Sequence, residues 1–231
     1  MTESLFAETR THVAADHALI TPDGHVESPL TGWNDADGVV LLSPALGGSR
    51  GGPRFVQYLV YGSDRCKSTG AAPGAERLIY VVDGTAQLAG DDLPKDAFAW
   101  FPPGDRSSVR APEGALLLVF EKRYQSRAGT AIPQRMVGTL ADAPAEPFLG
   151  DPDAMLSTLL PIESGFDMAV NVFRFEPGAA LPFVETHVME HGLYMKEGQG
   201  VYRLSNCWYP VQAGDSIWIA SYCPQWFVAM G

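Results

Sequence analysis

Apolar residues come in short runs of four to eight along most of the chain, each closed by glycine, proline or a small polar cluster. In the first half such runs fall at 38–43, 54–61, 78–82, 85–88, 97–101 and 115–120. A loop rich in Gly, Ala and Pro at 68–74 separates the second from the third, and Pro102-Pro103-Gly104 closes the fifth. Runs of this length bounded by such turns predict β-strands of an antiparallel sandwich or barrel. Residues 1–35 lack the pattern and are expected to be an irregular lead-in, with His12, His17 and His25 as surface or packing histidines. Residues 125–152 read as a connection, with a strand at 134–139.

The pattern is written twice. Tyr80-Val-Val-Asp-Gly84 matches Tyr194-Met-Lys-Glu-Gly198, and Pro73-Gly74 matches Pro177-Gly178. Glu76-Arg77 then falls opposite Glu190-His191. Between the Pro-Gly and the shared glycine, the second copy carries extra residues, which include Glu185 and His187. A repeat of this size predicts a duplicated barrel unit. The expected division is an N-terminal barrel with its lead-in at 1–130 and a C-terminal barrel at 131–231. The first copy has Arg77 in place of a histidine, so only the second is expected to hold a metal.

The candidate chemistry lies at 184–202. His187-Val188-Met189-Glu190-His191 has the spacing H-x-x-E-H, which on a helix would put both histidines on one face. Gly178, Pro182, Gly192, Gly198 and Gly200 surround it, and Val184, Thr186 and Val188 are β-branched. Each interior glycine costs a helix roughly 1 kcal/mol and a proline about 3, so extended structure is predicted instead. In a strand Glu185, His187 and His191 share parity. A straight strand would nevertheless hold Glu185 and His191 roughly 20 Å apart. For these side chains to share one ion, the chain must turn back between His187 and His191. By the same alternation, Glu190 is expected to face away, toward solvent.

These residues resemble the two motifs of the cupin barrel. Gly178, Glu185, His187, His191 and Gly198 fill the first, and Gly214, Asp215 and Gln225 fill the second. The permuted ligand set Glu-x-His-x3-His with a later Pro-Gln is similar to that of the (S)-ureidoglycine aminohydrolases. Three further passages share the likeness: His17-Ala-Leu-Ile-Thr-Pro-Asp-Gly-His25, Trp208-Tyr-Pro-Val-Gln-Ala-Gly-Asp215 and Pro102-Pro103-Gly104. The resemblance implies an all-β bicupin of two double-stranded β-helix (jelly-roll) barrels. It implies Mn²⁺ held by Glu185, His187, His191 and Gln225, and a ureide substrate hydrolysed to (S)-ureidoglycolate and ammonia. Tyr202 matches a pocket tyrosine, and Glu185 could double as the proton carrier. The family continues with a strand bearing a pocket tyrosine and lysine. This sequence stops at Gly231, so the second barrel is expected to lack its last strand.

Without thiolates, the donor set suits Mn²⁺, Fe²⁺ or Ni²⁺ better than structural zinc. Two histidines with a carboxylate also describe non-haem iron oxygenases, and a non-catalytic bicupin that binds a small molecule is a third reading. The remaining features narrow the setting. A formal charge of −11 argues against nucleic acid or anionic membrane as partner. Cys66, Cys207 and Cys223 are sparse and irregularly spaced, which predicts free thiols in a reducing compartment, with Cys223 as a small buried residue. With no signal peptide and no apolar run of membrane length, the chain is expected in the cytoplasm. Sheet-edge association predicts a homo-oligomer of unspecified order.

Overall fold

The computed structural model describes residues 9–46 and 54–231. The chain is all-β and divides into two compact units. The division differs from the expected boundary near residue 130. One unit holds 27–40 with 55–174, and the other combines the described parts of Met1–Val26 and Leu41–Arg54 with Phe175–Gly231. Residues 9–26 of the lead-in therefore pack with the C-terminal barrel, and 27–35 with the first unit. No described helix is long and apolar enough to cross a membrane.

The first unit is built on a seven-stranded antiparallel sheet. Its order is Met136–Thr139, Ala97–Phe101, Ala75–Asp83, Leu116–Arg123, Phe55–Tyr61, Asp37–Leu42 and Ser28–Pro29. A five-stranded sheet accompanies it: Asp91–Pro94, Thr85–Leu88, Val109–Arg110, Lys67–Ser68 and Trp33–Asn34. Alternation along the strands supplies the core: Tyr58 and Val60, Ile79 and Val81, Ala97, Ala99 and Phe101, Leu117 and Val119. Leu88, Leu93 and Val109 join the same cluster. A three-stranded sheet, Ala145–Phe148, Asp151–Thr158 and Asn171–Phe175, follows, and its first strand lies within the segment 125–152 read from sequence as connection. The strand expected at 134–139 forms at Met136–Thr139.

The second unit holds a four-stranded sheet in the order His12–Val13, His17–Ile20, Ser216–Ile219 and His191–Tyr194. A three-stranded sheet consists of Cys207–Gln212, Gln199–Leu204 and Gln225–Ala229. The lead-in is thus not irregular: His17 pairs with Ile219, and Leu19 with Ile217. Arg10 fixes the same segment by two bonds to the buried Asp215 carboxylate, at 2.7 and 2.8 Å.

The repeat is visible in the backbone. Gly84 and Gly198 close corresponding turns at φ +71° and +73°. A Cβ at Gly84 would lie 2.5 Å from the carbonyl oxygen of Gly114, and at Gly198 2.8 Å from that of Gly231. Only glycine satisfies both the left-handed angle and the close approach.

Candidate metal centre

The predicted fold-back is present. Glu185 leaves the bend at 182–184 and makes a two-way backbone bridge to Gln225, with N–O distances of 2.8 and 2.9 Å. His187 follows outside any strand, and the chain bends at Val188 and Met189. His191 then opens the strand His191–Tyr194, paired to Ile219. No helix forms over H-x-x-E-H. The Tyr222 amide donates to the His187 carbonyl at 2.6 Å, so the turn before Gln225 is pinned to both early members of the set.

The side chains converge. His187 Nε2 lies 3.2 Å from Glu185 Oε2, and the rings of His187 and His191 meet edge to face at 5.0 Å between centroids. The Tyr202 hydroxyl donates to Gln225 Oε1 at 2.9 Å. Tyr202 is buried, and burial followed by the Glu185 charge raises its pKa, so it stays a protonated donor. Its hydroxyl is therefore committed to Gln225, a partner the sequence did not reveal. Glu190 faces the opposite side, as predicted by alternation, yet it is not simply solvated. Its carboxylate accepts from the Trp218 indole at 3.3 Å and from the Arg54 amide at 2.8 Å.

His191 Nε2 is buried and has no hydrogen-bond partner. Burial, and then the neighbouring His187, push this imidazole down to about 4, so it is neutral near pH 7. A buried lone pair without a donor costs about 1–3 kcal/mol unless something binds it. A divalent cation would supply such a partner, and the imidazole of His187 and, beyond it, the carboxylate of Glu185 are the neighbouring donors. The residues present fit a metal of intermediate hardness. The heads are neighbours rather than a closed cage. Among the described residues, the one group of three His, Cys, Asp or Glu ligand atoms all within 4.8 Å of one another is Asp16, His17 and Cys223. Sequence spacing could not have found that group, because its members are some 200 positions apart.

The corresponding place in the first unit holds a fixed cation instead. Arg77, opposite His191 in the repeat, is buried, and its guanidinium is paired to Glu121. Glu121 also accepts from the Tyr58 hydroxyl at 2.7 Å, and that hydroxyl accepts from the Trp33 indole at 3.1 Å. A second guanidinium bond reaches the Gly70 carbonyl at 2.8 Å. Arg77 thus stands where the repeat would place a histidine, with Glu121 as its counter-charge.

No family model matches the chain. It is 39% identical over 230 residues to the probable (S)-ureidoglycine aminohydrolase of Oryza sativa, covering 96% of this chain and 72% of that protein. The (S)-ureidoglycine aminohydrolase of Escherichia coli is 35% identical over 231 residues, with 96% and 86% covered. Among solved structures, protein YlbA of E. coli superposes with a TM-score of 0.81 at 32% identity, covering 96% of this chain and 90% of that one. A putative glyoxylate-induced protein of Pseudomonas aeruginosa gives 0.84 at 30%, with 98% and 88% covered. Bacillus subtilis oxalate decarboxylase gives 0.68 at 12% identity, covering 92% and 74%, a likeness of fold alone.

Proposed function

The chain belongs to the (S)-ureidoglycine aminohydrolase family, and from that membership we propose that it hydrolyses (S)-ureidoglycine to (S)-ureidoglycolate and ammonia, a step of purine degradation. We assign the metal to Glu185, His187, His191 and Gln225. The observation that carries the assignment is the buried, partnerless Nε2 of His191, whose ring meets that of His187, itself 3.2 Å from the carboxylate of Glu185. Mn²⁺ agrees with the donor set; when bound, such an ion would supply Lewis acidity to a small substrate.

The protein's own groups divide the remaining work. The reaction breaks one C–N bond, forms one C–O bond and moves one proton from water to the departing amine. Glu185 is the carboxylate at the centre and the candidate carrier of that proton. His187 Nε2 lies 3.2 Å from that carboxylate, close enough for the two to share one ion. Tyr202 acts through Gln225: its hydroxyl fixes which amide atom faces the centre, so it is a positioning residue. Ile219 and Phe227, both buried, keep bulk water from the surrounding wall.

Ammonia release from freshly prepared (S)-ureidoglycine by the Mn²⁺-loaded protein tests the reading, with oxygen uptake after anaerobic Fe²⁺ loading as the control for oxygenase chemistry. Turnover that is lost in His187→Ala and involves no oxygen uptake is expected. Equal rates in the wild type and His187→Ala would remove the assignment.

A further inference from the structure

We propose that Asp16, His17 and Cys223 form a second divalent-cation site, selective for a thiophilic ion such as Zn²⁺, which clamps the N-terminal strand to the turn before Gln225. The three side chains come from opposite ends of the sequence. Asp16 and His17 stand at the start of His17–Ile20, and Cys223 lies in the turn 220–224. One ligand atom from each falls within 4.8 Å of the others. Ligands of one zinc ion, bound at about 2.0–2.3 Å, lie only slightly closer together than this.

The surroundings suit a metal site. His17 Nδ1 is 2.8 Å from Asp16 Oδ1, and Nε2 is 2.8 Å from the Tyr209 hydroxyl. A partner on the far nitrogen fixes the tautomer and orientation of a ligating histidine, and Tyr209 occupies that position. His17 and Cys223 are buried, while the Asp16 side chain is 46% exposed and gives an ion a way in from solvent. In the bound state the imidazole's single proton sits on Nε2 toward the Tyr209 oxygen, which leaves the Nδ1 lone pair and the Asp16 carboxylate for the ion. The thiol proton of Cys223 leaves to water.

This site is separate from the centre at His191. His17 and His191 both pair with Ile219, one on each side. Their backbones are therefore two strand spacings apart, roughly 10 Å, and no ligand atom of Glu185, His187 or His191 belongs to the group within 4.8 Å. The donor sets differ as well. A thiolate with imidazole and carboxylate prefers zinc or cobalt, whereas the thiolate-free centre suits harder ions. One chain can thus sort two metals by ligand softness. The clamp also bears on the first centre, because the Ala220–Gln225 turn is hydrogen-bonded to the backbone of both Glu185 and His187.

Cobalt titration of the full chain carrying His187→Ala tests the site by absorption, without reference to any reaction. Co²⁺ bound to Cys223 gives a thiolate-to-metal charge-transfer band in the near ultraviolet that saturates at one equivalent. The band is expected to survive Cys207→Ser, to vanish in Cys223→Ser, and to need about tenfold more Co²⁺ in Tyr209→Phe. No band, or a band that persists in Cys223→Ser, overturns the proposal. Should Cys223→Ser lose its circular dichroism, Asp16→Asn decides: affinity lowered tenfold or more supports the site, and unchanged affinity overturns it.

Discussion

Tyr202 and Gln225 are joined through their side chains inside the second barrel, the tyrosine hydroxyl donating to the amide oxygen at 2.9 Å. Across the sheet, Tyr202 pairs with Phe227 and Leu204 with Gln225, so the bond runs diagonally between neighbouring strands. A neutral amide is the weakest donor in the set, and its oxygen is useful to a cation only if it points inward. Tyr202→Phe keeps the ring and removes that constraint. Its expected effect is a 10- to 100-fold loss of metal affinity, with little change in the fold. Metal-binding calorimetry on wild type and variant checks it; unchanged affinity would mean that Gln225 is oriented by its backbone bridge to Glu185 alone.

Arg77 and Glu121 neutralise one another in the first barrel. Both sit in the interior, tied to Tyr58, Trp33 and Gly70. Arg77→Ala leaves the Glu121 carboxylate without its cation, and breaking such a pair from one side costs about 3–5 kcal/mol. Replacing both members with apolar residues of similar volume should recover most of that loss. Urea unfolding of the single and double variants gives the comparison. Near-equal losses in the two would show that the pair itself, rather than an abandoned charge, holds the barrel.

Stability should also respond to pH through Glu76. This carboxyl is buried, accepts from the Trp100 indole at 3.0 Å and stands 3.7 Å from Lys122. Desolvation outweighs these partners, and its pKa is raised above the ordinary 4.5. The folded state thus binds the proton more tightly than the unfolded chain does. The stabilisation from the protonated form is complete below about 4.5 and is lost as pH rises through the higher folded value. Glu76→Gln keeps an acceptor for Trp100 and carries no charge to bury. The variant should gain on the wild type as pH rises from 4 toward 7, read as the difference in urea midpoint. A constant difference across that range would show that Glu76 does not titrate differently in the two states.

How much of this was legible in the sequence follows from the range of each interaction. The strands of the first barrel and the duplicated Pro-Gly and glycine turns are local signals, and 85–88 and 97–101 appear where the apolar runs placed them. The fold-back at His187–His191 was forced by distance, since no straight strand could gather those side chains. The lead-in misled because His17–Ile20 is only four residues long and its partner strand lies about 200 positions away. Arg77 could be read as a lost ligand from its repeat position. That Glu121 neutralises it depends on strand pairing, Glu121 opposite Arg77, which no local pattern encodes. The Tyr202 bond to Gln225 and the meeting of Asp16 with Cys223 are tertiary in the same sense.

The attachment of the lead-in gives a last expectation. Asp215 is fully buried and accepts two bonds from Arg10 and one from the Gln212 amide at 2.9 Å. The Arg10 guanidinium also donates to the Pro210 carbonyl at 3.1 Å. Burial of the carboxylate makes the pair unequal: Asp215 needs the cation more than Arg10, which is 32% exposed, needs the anion. Arg10→Ala should therefore cost toward the lower end of the about 3–5 kcal/mol expected for abandoning a buried charge, with solvent at Arg10 softening the loss. Asp215→Asn in the same background should recover part of it. Because the next ordered contacts of the lead-in are the short strands His12–Val13 and His17–Ile20, freeing Arg10 should first loosen the N-terminal segment. Limited proteolysis should then cut Arg10→Ala ahead of residue 26 at protease levels that leave the wild type intact. Equal cleavage rates would show that strand pairing at His17 and Leu19 holds the segment without the ion pair.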